Sequence, residues 1–226
     1  SSAGRQSQEP VAAPIRSAHV KGTEDLKKLD PQTVRIHIDE ALPSDLALLT
    51  RFPQLRIVSM NPKFAGGGQR KWAEATALDL EPLTKCANLE HLGLPFPARL
   101  DEGQLAMLAM CAKLRSFRMK GAHIALDPAT AKALAAWPSL QELQLLGTTV
   151  HADGLSALQA CARLDTLELH ECDGLDGESF AAITSVAQLK ELRLLALGGL
   201  ERPAGLPEGN PWQPSNQQLR LLRDLP

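Results

Sequence analysis

The sequence predicts a right-handed α/β solenoid, with a curved parallel sheet on the concave face and helices on the convex face. Three observations predict it. An apolar ladder, L-x-x-L-x-x-Φ-x-x-L-x-x-L-x-L with Cys, Phe, Trp or Val at Φ, recurs along the chain. Inside each copy, apolar residues three apart suit a short helix, and the x-L-x-L that follows suits a strand. Acidic residues also stand where several of these helices would begin. A unit of this size buries its apolar edge only against its neighbours, so the repeat decides the architecture before local propensity does.

Taken in order, the first rung is a degenerate copy, Thr33/Ile36/Ile38. Leu55/Val58/Met60, Leu89/Leu92/Leu94, Leu114/Phe117/Met119, Leu140/Leu143/Leu145, Leu164/Leu167/Leu169 and Leu189/Leu192/Leu194 follow, which makes seven rungs. Thr23-Glu24-Asp25-Leu26 begins an N-terminal cap helix. Asp127-Pro128 sets a capping carboxylate before a proline at the first helical position, and Asp101, Asp153 and Asp176 sit at matching places. A strand and a helix in each unit close as a right-handed coil, so the strands stack in parallel.

The expected boundaries follow from composition. Residues 1–22 are small, polar and Pro-containing and read as a flexible leader, either a tail or the start left by a removed export signal. Residues 23–200 form the repeat domain. Residues 201–226 are a Pro-rich loop and a C-terminal capping helix or the start of a truncated eighth repeat, since Leu219, Leu222 and Leu225 repeat the helical lead-in.

Over roughly residues 26–200 the spacing resembles the leucine-rich repeat family, whose pattern is L-x-x-L-x-L-x-x-N/C-x-L at about 20–29 residues. C-A-R-L-D-T-L-E-L-H-E-C-D-G-L-D-G (161–177) is similar to the cysteine-containing subclass, and LLGTTVHADGLSALQAC (145–161) to repeats of bacterial proteins. At the N/C position stand Pro97, Ala122, Thr148, Cys172 and Leu197, so no continuous polar ladder is expected at that corner.

Composition narrows the function. The 226 residues carry 24 basic and 26 acidic side chains, for a net charge of −2, and 4% aromatics with no Tyr. That balance argues against a nucleic-acid partner, which needs a basic footprint or a stacking platform. No run approaches the roughly 18 apolar residues of a membrane span. Cys86, Cys111 and Cys161 share the Φ position with Phe52, Trp137 and Val186 and read as buried apolar residues. Unpaired thiols favour a reducing compartment, hence the cytoplasm over export. His170-Glu171-Cys172-Asp173 ends a strand, so its side chains alternate between faces and do not converge on an ion. Ala65–Lys71 is Gly-rich and basic but lacks the order of a phosphate-binding loop. No metal, no cofactor and no catalytic residue is expected.

The candidate binding surface is therefore the concave face. Its side chains include Arg35, His37, Arg56, His91, Arg115, Arg118, Lys120, Glu142, Gln144, Glu168, His170 and Arg193, with the fourth rung basic and the sixth acidic. Phe64 and Trp212, in two irregular loops, have no repeat position to fill and are candidate anchors. The leading expectation is a monomeric, non-catalytic module that binds another protein. Two alternatives differ in class: the targeting domain of a larger protein, such as a bacterial secreted effector with a separate catalytic domain, and an enzyme using the basic rung to hold an anionic small molecule.

Overall fold

The computed structural model describes residues 16–62, 78–94, 100–120 and 125–195. Its strands are β1 (Ser17–Val20), β2 (Arg35–Ala41), β3 (Ile57–Pro62), β4 (His91–Leu94), β5 (Ser116–Lys120), β6 (Ala125–Leu126), β7 (Glu142–Leu146), β8 (Thr149–Val150), β9 (Thr166–His170) and β10 (Glu191–Leu195). The α-helices are α1 (Thr23–Leu26), α2 (Asp45–Leu48), α3 (Glu81–Thr84), α4 (Glu102–Leu108), α5 (Pro128–Ala135), α6 (Ala152–Ala157) and α7 (Gly177–Thr184).

The main sheet runs β1-β2-β3-β4-β5-β7-β9-β10, with every pairing parallel. Each of the seven predicted rungs supplies one strand. The rungs keep one register, Ile36 beside Val58, Leu92, Phe117, Leu143, Leu167 and Leu192 in turn. Alternation puts these residues on one side of the sheet, where they join the helix leucines in a single apolar core. Among the described residues, no helix is long and apolar enough to cross a membrane.

The sheet begins earlier than the leader boundary at residue 22 allows. Ser17–Val20 pairs with β2 in register, Ala18 beside Ile36 and Val20 beside Ile38. Two apolar residues in alternation are too short a signal against a polar, Pro-containing background, and β1 is fixed by its neighbour rather than by its own propensity. The other boundaries, at 200 and 201, lie outside the described residues.

Helix starts follow the acidic caps in three of the four expected places. Asp101 accepts a hydrogen bond from the backbone N–H of Gln104, Asp127 from Thr130 and Asp176 from Ser179, each at 2.8 Å. The fourth differs. The cap of α6 is His151, which makes no side-chain cap bond, and Asp153 lies one residue inside the helix. The cause is β8, which holds the chain extended through Val150, so His151 becomes the cap and the helix starts at Ala152, one residue before Asp153. There the carboxylate still faces the positive end of the helix dipole.

The caps predict a measurable dependence on pH. Hydrogen bonds from the backbone of Thr130 and Ser179 hold the Asp127 and Asp176 carboxyls below their ordinary values. A carboxyl depressed in the folded state stabilises above its unfolded value, and that stabilisation is lost as pH falls through the folded one. Asp127→Ala is expected to cost about 1 kcal/mol at pH 7. The gap from the parent should close on acidification below about pH 4, as urea unfolding at pH 7 and pH 3 will measure.

The Φ position is buried throughout: Phe52, Cys86, Cys111, Trp137, Cys161 and Val186 are all core residues. Where the residue has a donor, that donor reaches back across the repeat boundary. The Cys111 thiol donates to Leu83 O at 3.5 Å, the Trp137 indole to Leu105 O at 2.8 Å and the Cys161 thiol to Ala131 O at 4.0 Å. Cys86 reaches both Leu49 O and Pro82 O. All four cysteines are buried and unpaired.

The corner after the strand carries a second, two-stranded parallel sheet, β6 with β8, extended by a bridge from Thr149 to Asp173. Cys172 is buried there, its thiol on the carbonyls of Leu145 and His170. Thr148 is buried as well, with its hydroxyl unpartnered. Pro97, Ala122 and Leu197 lie outside the described residues.

Candidate functional site

Helices cover one side of the main sheet, so function has the opposite, open side to work with. Residues two apart on a strand leave the same face, and the constant register turns them into columns. One column runs Ser17, Arg35, Ile57, His91, Ser116, Glu142, Thr166, Glu191. Beside it run His19, His37, Ser59, Gly93, Arg118, Gln144, Glu168, Arg193. At the strand ends Lys120, Leu146, His170 and Leu195 are in register. A shallow depression crosses β4 to β10 and includes His91, Arg115, Glu142, Asp165 and Arg193.

The charges on this face are largely tied to one another. Glu90 takes a bidentate pair from Arg56, at 2.7 and 2.9 Å, and a third hydrogen bond from Arg115 at 2.7 Å. These guanidinium contacts, Arg56 foremost, hold the Glu90 carboxyl below its ordinary value. His91 is half-buried, and burial followed by the nearby Arg115 charge lowers its value, so the imidazole is neutral at pH 7. Further along, Lys190 pairs with Asp165 at 3.4 Å, and Arg193 with Glu168 at 3.6 Å and Glu191 at 2.8 Å. Gln144 donates to Glu142. The acidic sixth rung is thus offset by Lys190 and Arg193 of the seventh, and in the basic fourth rung Arg115 is offset by Glu90.

No protein-family model matches the sequence, and no curated protein does. Among solved structures, internalin C2 of Listeria monocytogenes is similar at 14% identity, with 85% of this chain and 77% of that one covered and a TM-score of 0.50. Internalin F of the same organism is 14% identical, with 86% of this chain but 59% of that one covered and a TM-score of 0.39. The fold is a leucine-rich repeat solenoid.

On this leucine-rich repeat face most of the expected binding residues come together. Arg56 and Arg115 meet at Glu90, Glu142 meets Gln144, and Glu168 meets Arg193. Arg118 stands apart: it is exposed at the middle of its column, and its side chain has no hydrogen bond or ion pair with any described residue. Arg35 is exposed on β2, His170 sits 3.8 Å from Glu171 at the end of β9, and Lys120 ends β5. Phe64 and Trp212 lie outside the described residues.

His37 belongs to a group that repeat spacing does not disclose. It lies with His19 of β1 and with Asp39, and its Nε2 is 3.2 Å from Asn61 Nδ2. Among the described residues, these three are the cluster able to hold a metal ion. The only signal in the sequence is the alternation His37-x-Asp39 on an exposed strand face. The thiols offer no comparable chemistry, since burial pushes Cys86, Cys111 and Cys161 up to about 11, where they are neither nucleophiles nor ligands.

Proposed function

We propose that the chain is a non-catalytic binding module whose open sheet face docks another protein. One observation carries the reading. Helices cover a single side of the sheet, and the other side presents registered columns of polar and charged side chains fixed on strand backbones. Side chains held this way lose little freedom on binding, and their charge pattern gives specificity and encounter rate. The face is broad and open, unlike the enclosed, mainly apolar pocket that a small substrate needs.

Arg118 is the residue on which the test turns. Its side chain lies mid-face with no hydrogen-bond or ion-pair partner among the described residues, so its reversal changes the surface without undoing the Glu90 cluster. A partner is first captured with the parent protein from the source organism and identified by mass spectrometry. Arg118→Glu is then expected to weaken binding at least tenfold by calorimetry, with circular dichroism and thermal midpoint unchanged. Lys132→Glu, exposed on helix α5, is expected to leave affinity as it was. Equal affinity for parent and Arg118→Glu would move the interface off this face.

A further inference from the structure

The N-terminal end of the open face brings three metal-ligating groups to one point. His19 of β1 and His37 of β2 are directly opposite in parallel register, so their side chains leave the same face about 4.8 Å apart. Asp39 follows His37 by two residues, and its carboxylate lies between the rings. Asp39 Oδ2 is 2.7 Å from His19 Nε2, and Asp39 Oδ1 is 3.2 Å from His37 Nε2. One donor atom from each residue lies within 4.8 Å of the other two. The rings meet edge to face, with centroids 4.7 Å apart and planes at 79°. Both nitrogens therefore aim at the same carboxylate without the rings stacking.

His37 Nε2 lies 3.2 Å from Asp39 Oδ1 and 3.2 Å from the Asn61 side-chain amide. A cation seated in the group would take both Nε2 lone pairs and a carboxylate oxygen at once, while Asn61 is free to rotate its amide.

We propose that His19, His37 and Asp39 bind a divalent transition-metal ion, zinc in preference to calcium or magnesium. Two imidazoles and one carboxylate form a borderline nitrogen and oxygen donor set that suits zinc, whereas calcium and magnesium require oxygen donors throughout. Three protein ligands leave a coordination position for water or for a group from a bound partner. Arg35, two residues before His37 on the same strand, opposes a cation and keeps the affinity moderate. The site lies apart from Arg118 and does not depend on the docking role of the face.

The test uses the untagged full chain. Calorimetric titration with Zn2+ is expected to show one equivalent bound, and Ca2+ is expected to show none. His19→Ala, His37→Ala and Asp39→Asn are each expected to weaken Zn2+ binding at least tenfold. His170→Ala, on the same face but on β9, should leave it unchanged. Co2+ should give the visible absorption of a nitrogen and oxygen site. A thiolate charge-transfer band would instead place the ion on cysteine and overturn the proposal. So would parental affinity in His37→Ala, or no Zn2+ binding in the folded parent. All three substitutions fall on residues that are exposed or half-exposed, so the thermal midpoint without metal will confirm that each variant is folded.

Discussion

Leu167→Asp is expected to abolish the cooperative unfolding transition and leave a chain without fixed tertiary structure. Leu167 is 1% exposed, and in register it lies between Leu143 of β7 and Leu192 of β10. An aspartate there would place an unpaired carboxylate among leucines, with no cation among the described core residues to meet it. Such a change belongs to the class that costs more than about 4 kcal/mol, against a total stability of about 5–15 kcal/mol for a domain. Repeats stabilise one another only through their neighbours, so losing this one uncouples β7 from β10. The measurements are the thermal transition by circular dichroism and the dispersion of amide signals by NMR. Leu167→Val is the control and should cost about 1 kcal/mol while keeping the transition. A folded Leu167→Asp variant would mean that Leu167 faces solvent, and the register of all seven rungs would then be wrong by one residue.

Gly154→Ala is expected to be strongly destabilising for the addition of a single methyl group. Gly154 is in the first turn of α6, pressed against the loop between β6 and α5. A Cβ there would lie 2.1 Å from Leu126 O, 2.6 Å from Leu126 C and 2.8 Å from Asp127 Cα. All three are backbone atoms, so no rotamer change relieves the clash. Leu126 O also accepts the backbone N–H of His151, and Asp127 caps α5, so moving them disturbs the starts of two helices. Overpacking of this kind costs about 3 kcal/mol, offset by about 1 kcal/mol because alanine is the better helix former. The expected net loss is about 2 kcal/mol or more, read from the urea midpoint. Gly177→Ala provides the opposite sign. A Cβ at that position, the start of α7, meets nothing within 4 Å. It should be neutral or stabilising by about 0.5 kcal/mol, so the two variants separate steric fit from helix propensity.

Legibility in the sequence tracked how often a signal was repeated. The strands and the core face could be read because Leu143, Leu167 and Leu192 hold equivalent places, and each copy reinforces the others. Acidic caps could be read at Asp101, Asp127 and Asp176, which stand at matching places in their repeats directly before the first helical residue. The misplaced cap at Asp153 shows what overrides such a cue, since the pairing of β8 with β6 moved the helix start. That pairing spans two residues per strand and leaves no periodic trace. The Φ residues were legible as buried but not as donors, because a carbonyl of the preceding repeat is invisible along the chain.

On the open face the residues were legible and their pairing was not. The basic and acidic rungs are real as sequence, yet Glu90 stands between Arg56 and Arg115, 34 and 25 residues away. Only the register shows that the two arginines share one carboxylate. His19 was hidden for a different reason, lying in a stretch whose composition resembles a tail. Its pairing with His37 is a property of two strands together and of neither alone.

The buried thiols give the chain a built-in clock. Cys86, Cys111 and Cys161 occupy equivalent slots in separate repeats, and Cys172 lies at the corner behind β9. With three of them near 11 and all four shielded, none meets a reagent until its own repeat opens. The order in which they are labelled is therefore the order in which the repeats come apart. From Cys86 to Cys172 the chain thus carries residue-specific reporters of local opening without the addition of a single probe.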